Sequence, residues 1–170
     1  MDKNRIMGVR LIPQKIIRDG RGEIRHFMKK NDFGYSYDYG PKDRGTVISH
    51  FGEVYFSVVL PGVVKAWHIH KEMCLNYICV VGKVFIALYD GREKSPTYGA
   101  INTFTLTDHE ENHARLTIPP GVWNGFRAPV GWADPVLIAN CADRIHDPDE
   151  LIRKPPDALN FNWGPYKLGG

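Results

Sequence analysis

Residues 74–91 read CLNYICVVGKVFIALYDG, two apolar runs that meet at Gly82-Lys83 and end on Asp90-Gly91. The runs are short, rich in β-branched and aromatic residues and bounded by turn residues, the pattern of paired strands rather than of a helix. Both CLNYICVV and KVFIALY are apolar on both strand faces, so one face is expected to look into a barrel and the other to pack on a second sheet or another subunit. A dimer satisfies that expectation most economically.

The same punctuation continues on either side. Seventeen glycines and twelve prolines are spread through the 170 residues and cut them into short runs. The predicted strands are 8–17, 23–28, 46–50, 54–60, 63–69, 74–81, 83–89, 100–106, 114–118, 123–128 and 135–140, with turns at Pro61-Gly62, Gly82, Asp90-Gly91 and Pro120-Gly121. So many short strands predict an all-β sandwich or barrel. Asp147-Pro148 is expected to open one helical turn, which Pro155-Pro156 stops. No linker, repeat or low-complexity stretch divides the chain, so residues 1–170 read as a single domain, with 147–170 as a C-terminal extension packing on the barrel. A chain of this length buries roughly two-thirds of its unfolded surface and needs no metal or disulfide to hold a core.

Composition excludes several classes. With 22 basic and 19 acidic side chains the net charge is +3, and no Lys/Arg run exceeds two residues, so no nucleic-acid partner is expected. The apolar stretches around 54–64 and 77–89 are interrupted by Pro61, Gly62, Gly82 and Lys83 and fall short of the roughly 18 residues of a membrane span, so no membrane partner is expected either. Cys74, Cys79 and Cys141 are odd in number and lack CxxC spacing, and the N-terminus has no long apolar core; a reducing, cytoplasmic setting is expected.

The chemistry concentrates in Lys65-Ala66-Trp67-His68-Ile69-His70-Lys71-Glu72. Residues two apart on a strand share a face, so His68 and His70 project together while Trp67 and Ile69 go to the other side. Two imidazoles lining a barrel are metal ligands, a proton-transfer pair or a hydrated polar patch. Gly62, His68 and His70 fit the first half of a small-barrel metal pattern, but Leu75 and Asn124 stand where its Glu and last His belong, so two of four ligands remain and no metal is expected. An imidazole with a pKa near 6.5 suits removal of a hydrogen next to a ketone, and a second can return a proton to the enolate. Among the remaining phenols, Tyr55, Tyr77 and Tyr89 are each candidates for a general acid.

These residues, with Asp19-Gly20-Arg21-Gly22, the Lys94-Ser95-Pro96-Thr97-Tyr98-Gly99 run and Ile118-Pro119-Pro120-Gly121-Val122-Trp123-Asn124-Gly125-Phe126, resemble the cupin-fold enzymes that epimerise nucleotide-linked 4-keto-6-deoxyhexoses, the dTDP-4-dehydrorhamnose 3,5-epimerase family. The resemblance implies a double-stranded β-helix, or jelly-roll barrel, working as a homodimer without a cofactor in deoxysugar or surface polysaccharide, including lipopolysaccharide, biosynthesis. It implies His68 as catalytic base, assisted by His70, and a nucleotide-diphosphate sugar held by Arg21, His26, Tyr55, Lys65, Asn76 and Asn124. The family's acid tyrosine falls at Ala139 and the aspartate that pairs with the base falls near Pro155-Pro156, with Asp157 one residue away. By strict alternation Lys65 faces away from His68, so its role requires a bulge or a position at the barrel rim. A second, local resemblance, of Glu53-Val54-Tyr55-Phe56 and Trp67-His68-Ile69-His70-Lys71 to sugar 3,4-ketoisomerases of the same fold, implies proton shuttling between neighbouring carbons. A non-catalytic cupin that binds a sugar nucleotide is the third reading.

Overall fold

The computed structural model describes residues 5–32 and 50–168. Thirteen strands run β1 Arg10–Pro13, β2 Ile16–Asp19, β3 Gly22–Arg25, β4 Glu53–Val59, β5 Val63–His70, β6 Leu75–Val81, β7 Lys83–Asp90, β8 Ile101–Thr107, β9 Ala114–Ile118, β10 Val122–Arg127, β11 Val136–Ala142, β12 Leu151–Arg153 and β13 Lys167–Leu168. One sheet has the order β1-β9-β6-β11-β4, and the other β12-β5-β10-β7-β8 with β13 alongside β5. Every neighbouring pair is antiparallel except β13 with β5. The two sheets wrap into the expected all-β jelly-roll barrel of a single-domain cupin.

Alternation fills the barrel. Leu75, Tyr77 and Cys79 from β6, Val84, Ile86 and Leu88 from β7, Leu116 and Ile118 from β9, Phe126 from β10 and Ile138 from β11 form one buried cluster between the sheets. Each strand contributes every second residue, as a pleated strand with one inward face must. The other face of β7 is also covered, by the chain's own C-terminal segment. Phe161 and Trp163 pack against Phe85, with ring centroids 6.4 and 6.3 Å away, and Trp67 and Trp123 join them in a second buried cluster. The two-sided apolar character of KVFIALY comes from this packing.

Predicted strand 8–17 divides at Gln14-Lys15 into β1, which pairs with β9, and β2, which forms a separate hairpin with β3. Predicted strand 46–50 lies outside the described residues except for His50. The helical turn forms at Pro148–Glu150, where the Asp147 side chain accepts from the Asp149 N–H at 2.9 Å. Strands β12 and β13 escape prediction because two or three residues carry no periodicity; pairing with β5 defines them. On edge strand β4, Val54, Phe56 and Val58 are 47%, 62% and 53% exposed, an apolar outer face at a sheet edge.

Candidate active site

Strand β5 carries the site, and a bulge aims it. Opposite β10, Asn124 pairs with His68 and Phe126 with Lys65, so three steps along β5 match two along β10. The extra residue breaks alternation between Lys65 and His68. Val64 and Trp67, three apart, both enter the outer cluster, while Lys65 and His68 both turn to Phe126 on the inside. Gly125 makes this possible, since a Cβ there would collide with that of Ala66. Of the two ways in which Lys65 could share a side with His68, the bulge is the one present.

His68, His70, Tyr55, Lys65, Tyr77 and Arg153 line a cavity of about 940 Å³ between the sheets, at the upper end of the range for small-molecule sites. At its floor, three groups define the His68 tautomer. Asn124 Nδ2 donates to the His68 carbonyl at 3.1 Å, which turns Asn124 Oδ1 to the Tyr77 hydroxyl, its donor at 3.0 Å. Tyr77 Oη then offers only lone pairs to His68 Nε2, 3.1 Å away. Nε2 carries the hydrogen, and Nδ1 is left as the basic nitrogen. Burial, with His70, Arg153 and Lys65 nearby, pushes the His68 pKa down to about 3, so the ring is neutral at physiological pH.

His70 is held differently. The turn Pro148–Glu150 and strand β12 lay the C-terminal segment along β5, and Glu150 bonds through one oxygen to His70 Nδ1 and through the other to the Glu72 N–H at 3.1 Å. Burial alone would raise the Glu150 pKa, but these hydrogen bonds outweigh it and hold the carboxyl below its ordinary value. An ionised carboxylate only accepts, so His70 Nδ1 donates and Nε2 is free. The rings of His68 and His70 lie 6.0 Å apart, nearly perpendicular. Among the described residues no three His, Cys, Asp or Glu converge as a metal donor set.

The cavity gathers His68, His70, Tyr55 and Lys65 from the sequence-predicted set, and Asn124 lies beneath it. It does not gather Arg21, Asn76 or His26. Arg21 sits in the β2–β3 turn, exposed and paired with Asp19. Asn76 spends its side chain on Cys141 and Thr117, with no group left for a ligand. His26 lines a smaller cavity on the far side of β11, with Phe27, Phe56 and Ala139. Ala139 thus points away from His68, and the β11 residue beside Tyr55 is Asn140. Asp157 is exposed in a segment that the Trp67 indole anchors through the Pro156 carbonyl at 3.0 Å, on the opposite face of β5 from His68.

Sequence reasoning missed Glu150, Arg153, Lys167 and His146. All but Glu150 line the cavity, and Glu150 braces it from behind His70. The acidic run Asp147-Pro148-Asp149-Glu150 was visible, but nothing in it singles out the one carboxylate that a helical turn carries to His70.

The family described as dTDP-4-dehydrorhamnose 3,5-epimerase matches residues 3–167. A dTDP sugar isomerase from Desulfovibrio desulfuricans G20 is 38% identical, and the alignment covers 93% of this chain and 92% of that one with a TM-score of 0.80. The probable low-salt glycan biosynthesis epimerase of Haloferax volcanii is 39% identical over 100 residues, 56% of this chain and 62% of that protein's length. The spore coat polysaccharide biosynthesis protein SpsL of Bacillus subtilis is 29% identical over 145 residues, 83% of this chain and 93% of that protein. A match along nearly the whole sequence, on the barrel and around the histidine pair just described, places this chain in the dTDP-4-dehydrorhamnose 3,5-epimerase family, enzymes that act on nucleotide-linked sugars.

Proposed function

We propose that the protein epimerises a nucleotide-linked 4-keto-6-deoxyhexose by removing a hydrogen next to the carbonyl, with His68 Nδ1 as the base. The observation that carries this reading is a neutral imidazole facing the cavity, its Nε2–H pinned by Tyr77. Nδ1 takes the hydrogen as a proton, the electron pair moves onto the C4 oxygen as an enolate, and a proton returns to the carbon. The reaction is a net proton exchange and calls for no redox cofactor. Lys65, Arg153, Lys167 and His146 line the same cavity as donors for the diphosphate. The product serves surface polysaccharide assembly in the cytoplasm, and two copies associate through the apolar face of β4 and the β2–β3 hairpin, where Ile17 and Ile24 are also exposed.

A second reading, 3,4-ketoisomerisation, draws on the His70–Glu150 dyad beside His68, since two imidazoles with opposite free nitrogens can pass a proton between adjacent carbons. One experiment separates the readings. With dTDP-4-keto-6-deoxyglucose in heavy water, an epimerase replaces hydrogen at C3 or C5 with deuterium and inverts that carbon. A ketoisomerase gives a 3-keto product. No exchange with this or other nucleotide sugars, alongside binding, leaves the non-catalytic cupin.

A further inference from the structure

Epimerisation needs a proton donor on the face of the sugar opposite the base, and the family's tyrosine position, Ala139, points out of the cavity. Three phenols were candidates. Tyr77 is 2% exposed, and its hydroxyl is committed to Asn124 and His68. Tyr89 lies on the outer face of β7 against the Trp67 and Trp163 cluster. Tyr55 alone combines a place in the cavity lining with a hydroxyl outside the His68 network.

We infer that Tyr55 is the general acid that delivers a proton to the substrate carbon from the face opposite His68, and that Asn140 positions it. Tyr55 stands on β4 in one sheet and His68 on β5 in the other, both lining the cavity, so a sugar ring between them presents one face to each. Asn140 is paired with Tyr55 across β11 and β4 and is 2% exposed. Its Oδ1 accepts the Asn76 N–H at 2.9 Å, which fixes the amide orientation and turns the buried Nδ2 toward the Tyr55 hydroxyl. The amide N–H bonds more strongly to a phenolate, the state of Tyr55 after proton delivery. Arg153, in the lining of the same cavity, favours that anion, and Glu53 and Glu150 oppose it.

The step balances. His68 takes the proton from one face, breaking the C–H bond, and the electron pair becomes the enolate. The Tyr55 O–H bond then breaks as a new C–H bond forms on the other face, and the enolate electrons return to carbon. Water reprotonates the phenolate and accepts the His68 proton. Burial raises the Tyr55 pKa, in spite of Asn140, and keeps the phenol protonated until it is used.

The inference rests on the epimerase reading, and the test separates the two. Tyr55→Phe is assayed in heavy water with dTDP-4-keto-6-deoxyglucose, following deuterium entry and configuration together. We expect deuterium entry within about tenfold of the unmodified protein but epimer formation down at least about a hundredfold, a size in line with loss of a general acid, with dTDP binding unchanged within about threefold. Asn140→Ala, which keeps the phenol, should lose epimer about tenfold with exchange retained. Epimer formation by Tyr55→Phe at the normal rate overturns the assignment, as does a parallel loss of exchange and epimer with dTDP binding intact. Should Tyr55→Phe not bind dTDP, Asn140→Ala decides, and an unchanged epimer rate there overturns the pair. An unmodified protein that exchanges no hydrogen overturns the epimerase reading itself.

Discussion

His68 Nε2 lies 3.1 Å from Tyr77 Oη, and Asn124, bonded to both the tyrosine hydroxyl and the His68 carbonyl, dictates which of the two atoms carries the hydrogen. The proposed base is thereby oriented by neutral hydrogen bonds instead of a carboxylate. Tyr77→Phe leaves Nε2–H buried without an acceptor and frees the ring to change tautomer. We predict a fall in kcat of roughly 10- to 100-fold with little change in KM, and a stability loss of about 1–2 kcal/mol in urea unfolding.

The carboxylate goes to His70 instead. Glu150→Gln keeps the shape but removes the charge that accepts from His70 Nδ1 and the Glu72 N–H. Hydrogen bonds to charged groups are among the stronger ones, so a destabilisation of about 1.5–3 kcal/mol is expected. Because Glu150 precedes β12, hydrogen exchange should rise at Leu151–Arg153 before β5 opens.

Stability should depend on pH through His68. Its pKa is about 3 when folded and 6.5 by reference, so the unfolded chain binds more protons between those values. Stability then falls as pH drops below 6.5, with a limiting slope of about 1.4 kcal/mol per pH unit for one proton. Glu150, lowered from 4.5, adds its own loss only below that value. The window from pH 4.5 to 6.5 is therefore free of the Glu150 loss, and the slope there should flatten in His68→Gln, measured by denaturant midpoints.

Substrate should raise that same pKa. Besides burial and His70, Arg153 and Lys65 depress it, and a bound diphosphate offsets their charge. The acid limb of kcat should consequently lie at higher pH than the acid limb of kcat/KM, which reports the free enzyme. Replacing Lys65 or Arg153 by Met should weaken dTDP binding by roughly tenfold each, equivalent to about 1.4 kcal/mol, and reduce its salt dependence.

Gly125→Ala tests the bulge. A methyl group there meets the Ala66 side chain and backbone and the Trp163 ring, so β5 must shift. Overpacking of this kind costs about 1–3 kcal/mol. Activity should fall with it, because the same shift moves His68.

The barrel was legible in the sequence because strand alternation and turn residues are local signals, and 74–90 states both plainly. His68 and His70 were legible for the same reason: adjacent positions on one strand need no tertiary information. Tyr77 sat in plain view but as one phenol of three, since only the register of β6 against the barrel turns it to His68 and Asn124. Glu150 was harder, because its sequence separation from His70 is 80 residues and a three-residue turn makes the connection. Asn76 and Ala139 were matched to family positions by motif correspondence alone, which carries no information on the side of the sheet. In the structure Asn76 is consumed by hydrogen bonds to Cys141 and Thr117, and Ala139 lines the other cavity.

The most direct test of the central claim is deuterium entry into dTDP-4-keto-6-deoxyglucose in heavy water, followed by proton NMR, for the unmodified protein against His68→Gln and His70→Gln. If His68 is the base, exchange next to the carbonyl disappears in His68→Gln and persists at a reduced rate in His70→Gln, with dTDP binding preserved in both. Exchange that survives in His68→Gln but vanishes in His70→Gln would contradict the account and assign the base to the His70–Glu150 dyad.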